Sequence, residues 1–178
     1  GNALTDADHN VAVGYAALYT DTKGNRTTAL GRYAAYTQNF TTSTDTNNVY
    51  IGYYAGADAT TGGRNTVVGS LGAEELTTGN DNVALGYLSL GAQAGAATTA
   101  DDNVAIGSGA AQDLTSGDGN ICIGKNAGDN MTTGQYNVYI GPTLNSGISA
   151  SYNILVGPFN DLSADSGAHQ IGLGYAIT

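Results

Sequence analysis

Few side chains in this sequence could carry out acid–base or nucleophilic chemistry. The two histidines, His9 and His169, stand near opposite ends of the 178-residue chain, so they do not converge on one site with a nucleophile. Two acidic pairs, Glu74–Glu75 and Asp101–Asp102, have the residue types that cleave glycosidic bonds. Adjacent side chains on extended backbone point to opposite faces, however. We therefore predict no catalytic residues and no enzymatic activity.

Metal and cofactor sites are not indicated either. Asp81, Asp101, Asp102 and Asp118 recur before a repeated asparagine, which raises the question of calcium. The Gly-Gly-x-Gly-x-Asp nonapeptide of calcium β-rolls and the twelve-residue calcium loop are both missing. A single cysteine, Cys122, excludes an intrachain disulfide and a thiolate cluster. No Gly-rich loop ends in the Lys-Ser or Lys-Thr of a phosphate loop. We predict no metal ion and no cofactor.

Aromatic residues are the remaining binding candidates. Tyr33, Tyr36, Phe40, Tyr53 and Tyr54 cluster around the first lengthened segment of a repeat described below. Tyrosine presents a flat apolar ring with a hydroxyl, which suits a sugar or a protein epitope. These five residues are the predicted receptor-binding group. The alternative is that they pack over neighbouring segments and at contacts between chains.

Composition restricts the class of partner. The net charge is −10, with five cationic and fifteen acidic side chains, so the phosphate backbone of a nucleic acid is predicted to be repelled. No apolar run approaches the roughly 18 to 20 residues that span a bilayer, so membrane insertion is not expected. Apolar residues make up 41% of the chain, too many for a disordered acidic tail.

A short motif, Asn-x-x-x-Gly, recurs along the whole chain. Its glycines are successively 17, 21, 17, 17, 21, 17, 17, 16 and 17 residues apart. A period below 20 residues is too short for helical repeats and fits one turn of a β-solenoid. The motif asparagines are Asn10, Asn48, Asn65, Asn82, Asn103, Asn120, Asn137 and Asn153. The motif glycines are Gly14, Gly31, Gly52, Gly69, Gly86, Gly107, Gly124, Gly141, Gly157 and Gly174.

The fold predicted from this spacing is all-β. We expect a parallel β-solenoid, or β-roll, of about ten coils of 17 residues in a single domain over 1–178, a fragment of a longer fibre protein. Equivalent residues of successive coils then stack about 4.8 Å apart. The asparagine column is predicted to form a structural ladder, since stacked amides hydrogen-bond to one another.

The three residues between the motif Asn and Gly predict an interface. The residue before the Gly, and the one two positions earlier, are mostly β-branched, and we expect them to point into the coil. The middle column then faces outward, although it carries no charge. A strand that is apolar on both faces is buried on both, so this column is predicted to contact another chain. It comprises Ala12, Ala29, Tyr50, Val67, Ala84, Ala105, Cys122, Tyr139 and Leu155.

Two known families resemble this sequence. The stretches Asn82-Val-Ala-Leu-Gly86 and Asn103-Val-Ala-Ile-Gly107 resemble the head repeats of trimeric autotransporter adhesins. Gly14-Tyr-Ala-Ala-Leu-Tyr19 and Thr77-Thr-Gly79 are similar to Asn-x-x-x-Gly repeat arrays of bacteriophage tail fibres. The resemblance implies a left-handed roll, a homotrimer, and partners among other fibre or virion proteins.

The expected function is display and attachment. The chain is predicted to be a structural, adhesive domain of a phage tail fibre or related virion-surface protein that contacts a host cell surface, with cell-surface glycan as the candidate ligand. Alternatives are a bacterial trimeric adhesin head and a capsid or sheath component without a ligand. A polysaccharide-degrading spike is disfavoured by the scarcity of Glu. An ice-binding protein is disfavoured because no regular outward Thr column is present.

Overall fold

The computed structural model describes residues 3–91, 97–144, 149–158 and 169–174. Nearly all regular structure in these residues consists of three-residue strands, one at each copy of the motif. Two shorter strands lie one coil apart, the first between Gly14 and Gly31 and the second in the lengthened repeat that follows. The strands are β1 (Val11–Val13), β2 (Gly24–Asn25), β3 (Thr28–Leu30), β4 (Thr44–Asp45), β5 (Val49–Ile51), β6 (Thr66–Val68), β7 (Val83–Leu85), β8 (Val104–Ile106), β9 (Ile121–Ile123), β10 (Val138–Ile140), β11 (Ile154–Val156) and β12 (Ile171–Leu173).

The strands form a parallel β-solenoid, which confirms the predicted fold class. Ten of them make one parallel sheet in the order β1-β3-β5-β6-β7-β8-β9-β10-β11-β12. Their register aligns the motif copies residue for residue, so that Tyr50 lies opposite Val67. About eight turns are described, since most of the chain between β11 and β12 lies outside the described residues. The short strands β2 and β4 pair in a second, two-stranded parallel sheet.

The described residues contain no helix. None of this part of the chain therefore offers a helix that is long and apolar enough to cross a membrane.

Nine of the ten motif glycines, all except Gly174, are required by contact between successive coils. Gly69 has a φ of +152°, which residues with a side chain rarely adopt. A Cβ atom added there would overlap the carbonyl group of Gly86 in the next coil. The glycine column thus lets two backbones meet at the corner that ends each strand.

The predicted orientation of the strands is wrong. The middle column points into the coil and is covered by its own chain, so it is unavailable as an interface between chains. Cys122 and Tyr139, for example, are 0% exposed. The exception is Ala12, which is exposed in the first strand of the stack. The residues of the predicted interface that are buried are Ala29, Tyr50, Val67, Ala84, Ala105, Cys122, Tyr139 and Leu155.

The physical reason for this orientation is the alternation of side chains along a strand. The motif Asn stands two residues before the middle position, so both side chains point to the same face. The Asn amide needs buried partners, which only the interior of the coil supplies. That interior is narrow, and small residues make room for large ones: a Cβ atom on Gly56 would overlap the ring of Tyr50.

The motif asparagines form a hydrogen-bonded ladder through the interior. The side-chain oxygen of Asn48 accepts the backbone N–H of Asn65 at 2.9 Å, and that of Asn65 accepts the backbone N–H of Asn82 at 3.0 Å. The side-chain amides from Asn10 to Asn137 also donate to a turn carbonyl, as Asn65 does to Gly79 at 2.8 Å. Wherever the motif asparagine is present, successive coils are therefore tied by side-chain as well as backbone hydrogen bonds.

Candidate functional site

Two columns of aliphatic side chains cover the outer face of the ten-stranded sheet. We call them the outer ladders; they flank the buried middle column and lie about 7 Å apart. The first ladder consists of Val11, Thr28, Val49, Thr66, Val83, Val104, Ile121, Val138, Ile154 and Ile171. The second consists of Val13, Leu30, Ile51, Val68, Leu85, Ile106, Ile123, Ile140, Val156 and Leu173.

The outer ladders are partly open to solvent in the single chain: nine of their twenty members are exposed and the other eleven are half-buried. Leu30 is 44% exposed near one end of the stack, and Ile140 is 40% exposed towards the other. Two threonines are the sole polar members, and no member carries a charge. Monomeric soluble proteins rarely expose a contiguous apolar face of more than a few hundred Å². This face, rather than the predicted middle column, is the candidate surface for association.

A second candidate surface is the Tyr–Arg cluster, which we define as Tyr15, Tyr33, Tyr53, Tyr54 and Arg32. Each motif Gly is followed by the residues of this corner, so that Tyr15, Arg32 and Tyr53 occupy the same position in three successive coils. The rings of Tyr15 and Tyr33 meet edge to face with centroids 5.5 Å apart. The ring of Tyr54 lies 4.8 Å from Tyr33 and 4.6 Å from Tyr53.

The guanidinium of Arg32 lies within this group of rings. Its central carbon is 4.8 Å from the ring centroid of Tyr33, 5.8 Å from that of Tyr15 and 5.9 Å from that of Tyr53. These are cation–π distances. The pKa of Arg32 is raised, chiefly by its interaction with the Tyr33 hydroxyl. Arg32 is therefore a permanently charged side chain that is held against aromatic rings at the surface of the coils.

The predicted receptor-binding residues fall into two groups. Tyr33, Tyr53 and Tyr54 belong to the Tyr–Arg cluster, and Tyr36 lies beside it, with its ring centroid 5.2 Å from that of Tyr33. Phe40 does not contribute, because it is 7% exposed and its backbone N–H donates to a buried carboxylate. The prediction for Phe40 is therefore wrong.

Sequence reasoning missed Arg32 and Tyr15, which complete the cluster. The signal was their shared position directly after a motif glycine, one repeat apart. Exposed aromatic residues also occur elsewhere on the rod: Tyr136, Tyr152 and His169 stack with ring centroids 5.3 and 5.1 Å apart.

The acidic residues considered for catalysis or calcium have structural partners. Asp81 forms a salt bridge to Arg64 at 2.6 Å, and this hydrogen bond lowers the pKa of Asp81. Asp101 accepts the backbone N–H of Asn80 at 2.6 Å, and Asp118 accepts that of Asp101 at 2.9 Å. Among the described residues, no three His, Cys, Asp or Glu side chains are placed to hold a metal ion.

Two half-buried acids on adjacent coils have shifted proton affinities. Burial, together with the charge of Glu75, raises the pKa of Asp58 and that of Glu74. Glu75 and these two acids lie on neighbouring coils of one corner, and the backbone N–H of Asp58 donates to the carbonyl of Glu74 at 2.9 Å. Raised values of this kind also arise in purely structural clusters, so they indicate no reaction by themselves.

Comparisons of this chain with models of protein families, with curated protein sequences and with solved structures found no match. The candidate surfaces are the two that the fold itself presents, the outer ladders and the Tyr–Arg cluster.

Proposed function

We propose that this chain is a rigid structural and adhesive rod of a fibre on a virion surface or outside the cell, and that it self-associates as a trimer through the outer ladders. The observation that carries the proposal is an uncharged, mostly aliphatic face that runs the length of the sheet and lies exposed or half-buried in the single chain. Burying such a face is the dominant favourable term in protein association.

The rod form follows from the stacking of the coils. Ten parallel strands about 4.8 Å apart span about 43 Å from the first to the last. Backbone hydrogen bonds and the asparagine ladder connect each coil to its neighbour, so the interior is continuous along the rod. A repeat array of this kind extends a binding surface away from its point of attachment.

A trimer suits the arrangement of the outer ladders. In a ring of three copies related by rotation, each chain meets two neighbours with different parts of its surface. Two ladders side by side on one face supply one contact for each neighbour. The resemblance to adhesin heads and phage fibres favours the same subunit number and a left-handed coil.

Sedimentation equilibrium tests the self-association without any assumption about shape. We expect a mass near 54 kDa, three times the 17.9 kDa of the chain. Ile123→Lys places a charge in the second ladder and is expected to lower the mass towards that of one chain. Thr133→Lys is the matched control, because Thr133 is exposed on a turn away from the ladders, and it is expected to leave the mass unchanged.

A mass near 17.9 kDa for the unaltered chain would refute the trimer. Equal effects of the two substitutions would show that added positive charge, rather than the aliphatic face, controls the assembly.

A further inference from the structure

The Tyr–Arg cluster presents one cation in a fixed position. Arg32 lies between Tyr15 and Tyr53, at 5.8 and 5.9 Å from their ring centroids, and over Tyr33 at 4.8 Å. Three aromatic contacts restrict the long side chain before any ligand arrives. A ligand that binds such a side chain loses less conformational entropy than one that must first order it.

Arg32 differs from the other arginines in its partners. Arg26 pairs with Asp45 at 2.8 Å, and Arg64 pairs with Asp81 at 2.6 Å. Within the described residues, no carboxylate lies within salt-bridge distance of Arg32. Because Arg32 is exposed, the guanidinium donors that are not used by the Tyr33 hydroxyl are available to an anionic group, and a carboxylate accepts two of them at once.

The surroundings of Arg32 favour a ring-shaped ligand. Tyr15 is 70% exposed and Tyr53 is 45% exposed, so both rings offer apolar surface next to the cation. Tyr15 and Tyr53 are two coils apart, a distance of about 10 Å. That distance matches the length of one or two sugar rings. A protein partner would instead contact a much larger surface, since each partner contributes roughly 800 Å² to a protein interface.

We propose that the Tyr–Arg cluster binds an acidic saccharide, with its carboxylate on Arg32 and a sugar ring against Tyr15 or Tyr53. The inference rests on the proposed attachment function and specifies its ligand class. Neutral sugars lack the group that Arg32 recognises. Extended polyanions such as nucleic acid are disfavoured by the net charge of −10 of the chain.

The test is titration of the full chain with two carboxylated probes, digalacturonate and sialyllactose, at 150 mM salt. At this ionic strength, charges farther than about 8 Å away are largely screened, so the local contact dominates. At least one probe is expected to bind. Its methyl ester, which keeps the rings but loses the charge, is expected to bind at least about tenfold more weakly.

Substitutions at the same corner assign the binding to Arg32. Arg32→Gln is expected to weaken binding by at least about tenfold, and Arg32→Lys by less, because lysine keeps the charge but not the planar fork. Lys125→Gln is the matched control: Lys125 also directly follows a motif glycine, but no ring contact to it is found in the described residues. The affinity of the Lys125→Gln variant for the probe is expected to equal that of the unaltered chain.

The proposal would be overturned by no binding of either probe, by equal binding of the methyl esters, or by an equal loss of affinity in Lys125→Gln. Sedimentation equilibrium of Arg32→Gln separates this failure from that of the proposed trimer. An unchanged mass with lost binding supports the saccharide site. A lowered mass would assign the cluster to contacts between chains. That result would refute the saccharide site but not the proposal that the chain self-associates.

Discussion

The N-terminal and central coils fill the same interior position with opposite chemistry. Seven residues after the motif glycine, the first two coils carry Asp21 and Gln38, whereas central coils carry Leu76, Leu114 and Met131. All five side chains are at most 1% exposed. One backbone path therefore accepts either a polar or an apolar filling.

The polar filling accompanies a break in the asparagine ladder. Thr27 stands where other coils have asparagine, and the backbone N–H of Asn48 donates to Thr46 Oγ1 at 3.4 Å instead of to an asparagine. That oxygen lies 2.7 Å from Thr27 Oγ1. Gln38 occupies the gap, donating to Thr27 Oγ1 at 2.9 Å and to Asp21 Oδ2 at 2.7 Å. Its oxygen accepts from Asn48 Nδ2 at 3.1 Å, which reconnects the ladder.

Asp21 is tied to the backbone as well as to Gln38. Its Oδ1 accepts the backbone N–H of Gly24 at 3.0 Å, of Lys23 at 3.3 Å and of Phe40 at 3.4 Å. The contrast with the central coils teaches that a polar interior is tolerated here because its atoms find partners. An unpaired buried polar group costs about 1 to 3 kcal/mol.

The largest expected effect comes from moving the N-terminal filling into a central coil. Leu114→Gln removes a fully buried aliphatic side chain and leaves an amide without the partners that Gln38 has. We expect a loss of about 4 kcal/mol in the free energy of unfolding in urea. Ser116→Gln, on the exposed turn nearby, is the control and is expected to change little. An equal loss of stability at the two positions would show that the interior of a central coil accepts a polar side chain as readily as an apolar one.

The reverse exchange is expected to cost somewhat less. Gln38→Leu leaves Asp21, Thr27 and Asn48 each short of one hydrogen-bond partner, and we expect a loss of about 3 kcal/mol. Thr41→Leu adds the same side chain at an exposed position of the same segment. Urea unfolding compares the two. A Gln38→Leu chain as stable as the control would contradict the role of Gln38 in repairing the ladder.

A smaller effect is expected when the ladder is broken where no repair exists. Asn103→Thr reproduces the replacement at Thr27, but the interior near Asn103 is apolar. The backbone N–H of Asn120, which donates to Asn103 Oδ1 at 2.9 Å, loses its acceptor. We expect a loss of about 2 kcal/mol. Faster hydrogen exchange at the backbone N–H of Asn120 would indicate this loss of stability. Asn130→Thr, at an exposed position, is the control. Unchanged exchange would refute the contribution of the ladder.

The smallest effect concerns Asp58 and Glu74, which are half-buried at the border of the two regions. Burial raises the pKa of both carboxyls above their ordinary values of 3.8 and 4.5. The folded state then holds protons that the unfolded state has released, so stability decreases as pH rises from these values through the raised ones. Asp58→Asn is expected to reduce this decrease, by less than about 1 kcal/mol since the site is open to solvent. A stability that rises over this pH range in the unaltered chain and not in the variant would contradict the assignment.

The fold could be predicted from the sequence because the regular spacing of the motif glycines identifies the repeat. A corner where two backbones touch accepts no Cβ atom, so the spacing of glycines such as Gly69 and Gly86 records the length of each turn. The stacking of equivalent residues then follows from that spacing. The asparagine ladder could be predicted for the same reason, since its members recur in phase with the glycines.

The orientation of the strands could not be read from hydrophobicity alone. In a three-residue strand, the middle residue and its two neighbours point to opposite faces, and both faces are apolar here. β-branched residues such as Ile123 suited either side. The deciding information was the phase of the motif asparagine, which shares its face with the middle residue. Similarly, Arg32 gains its significance from Tyr15 and Tyr53 in adjacent coils, which only the stacking reveals.

Thiol reactivity at neighbouring positions tests the strand orientation most directly. Cys122 is in the buried middle column, where burial raises the pKa of its thiol to about 12 and so suppresses the reactive thiolate. Position 123 lies half-buried in the second outer ladder, so a thiol placed there by Ile123→Cys, in a chain with Cys122→Ala, becomes fully covered only in the proposed assembly.

The measurement is the rate of modification by a thiol reagent over a dilution series under native conditions. We predict that the thiol at position 123 becomes reactive on dilution, as the chains separate, while Cys122 in the unaltered chain stays unreactive at every concentration. A Cys122 that becomes reactive on dilution, with position 123 protected throughout, would contradict the account.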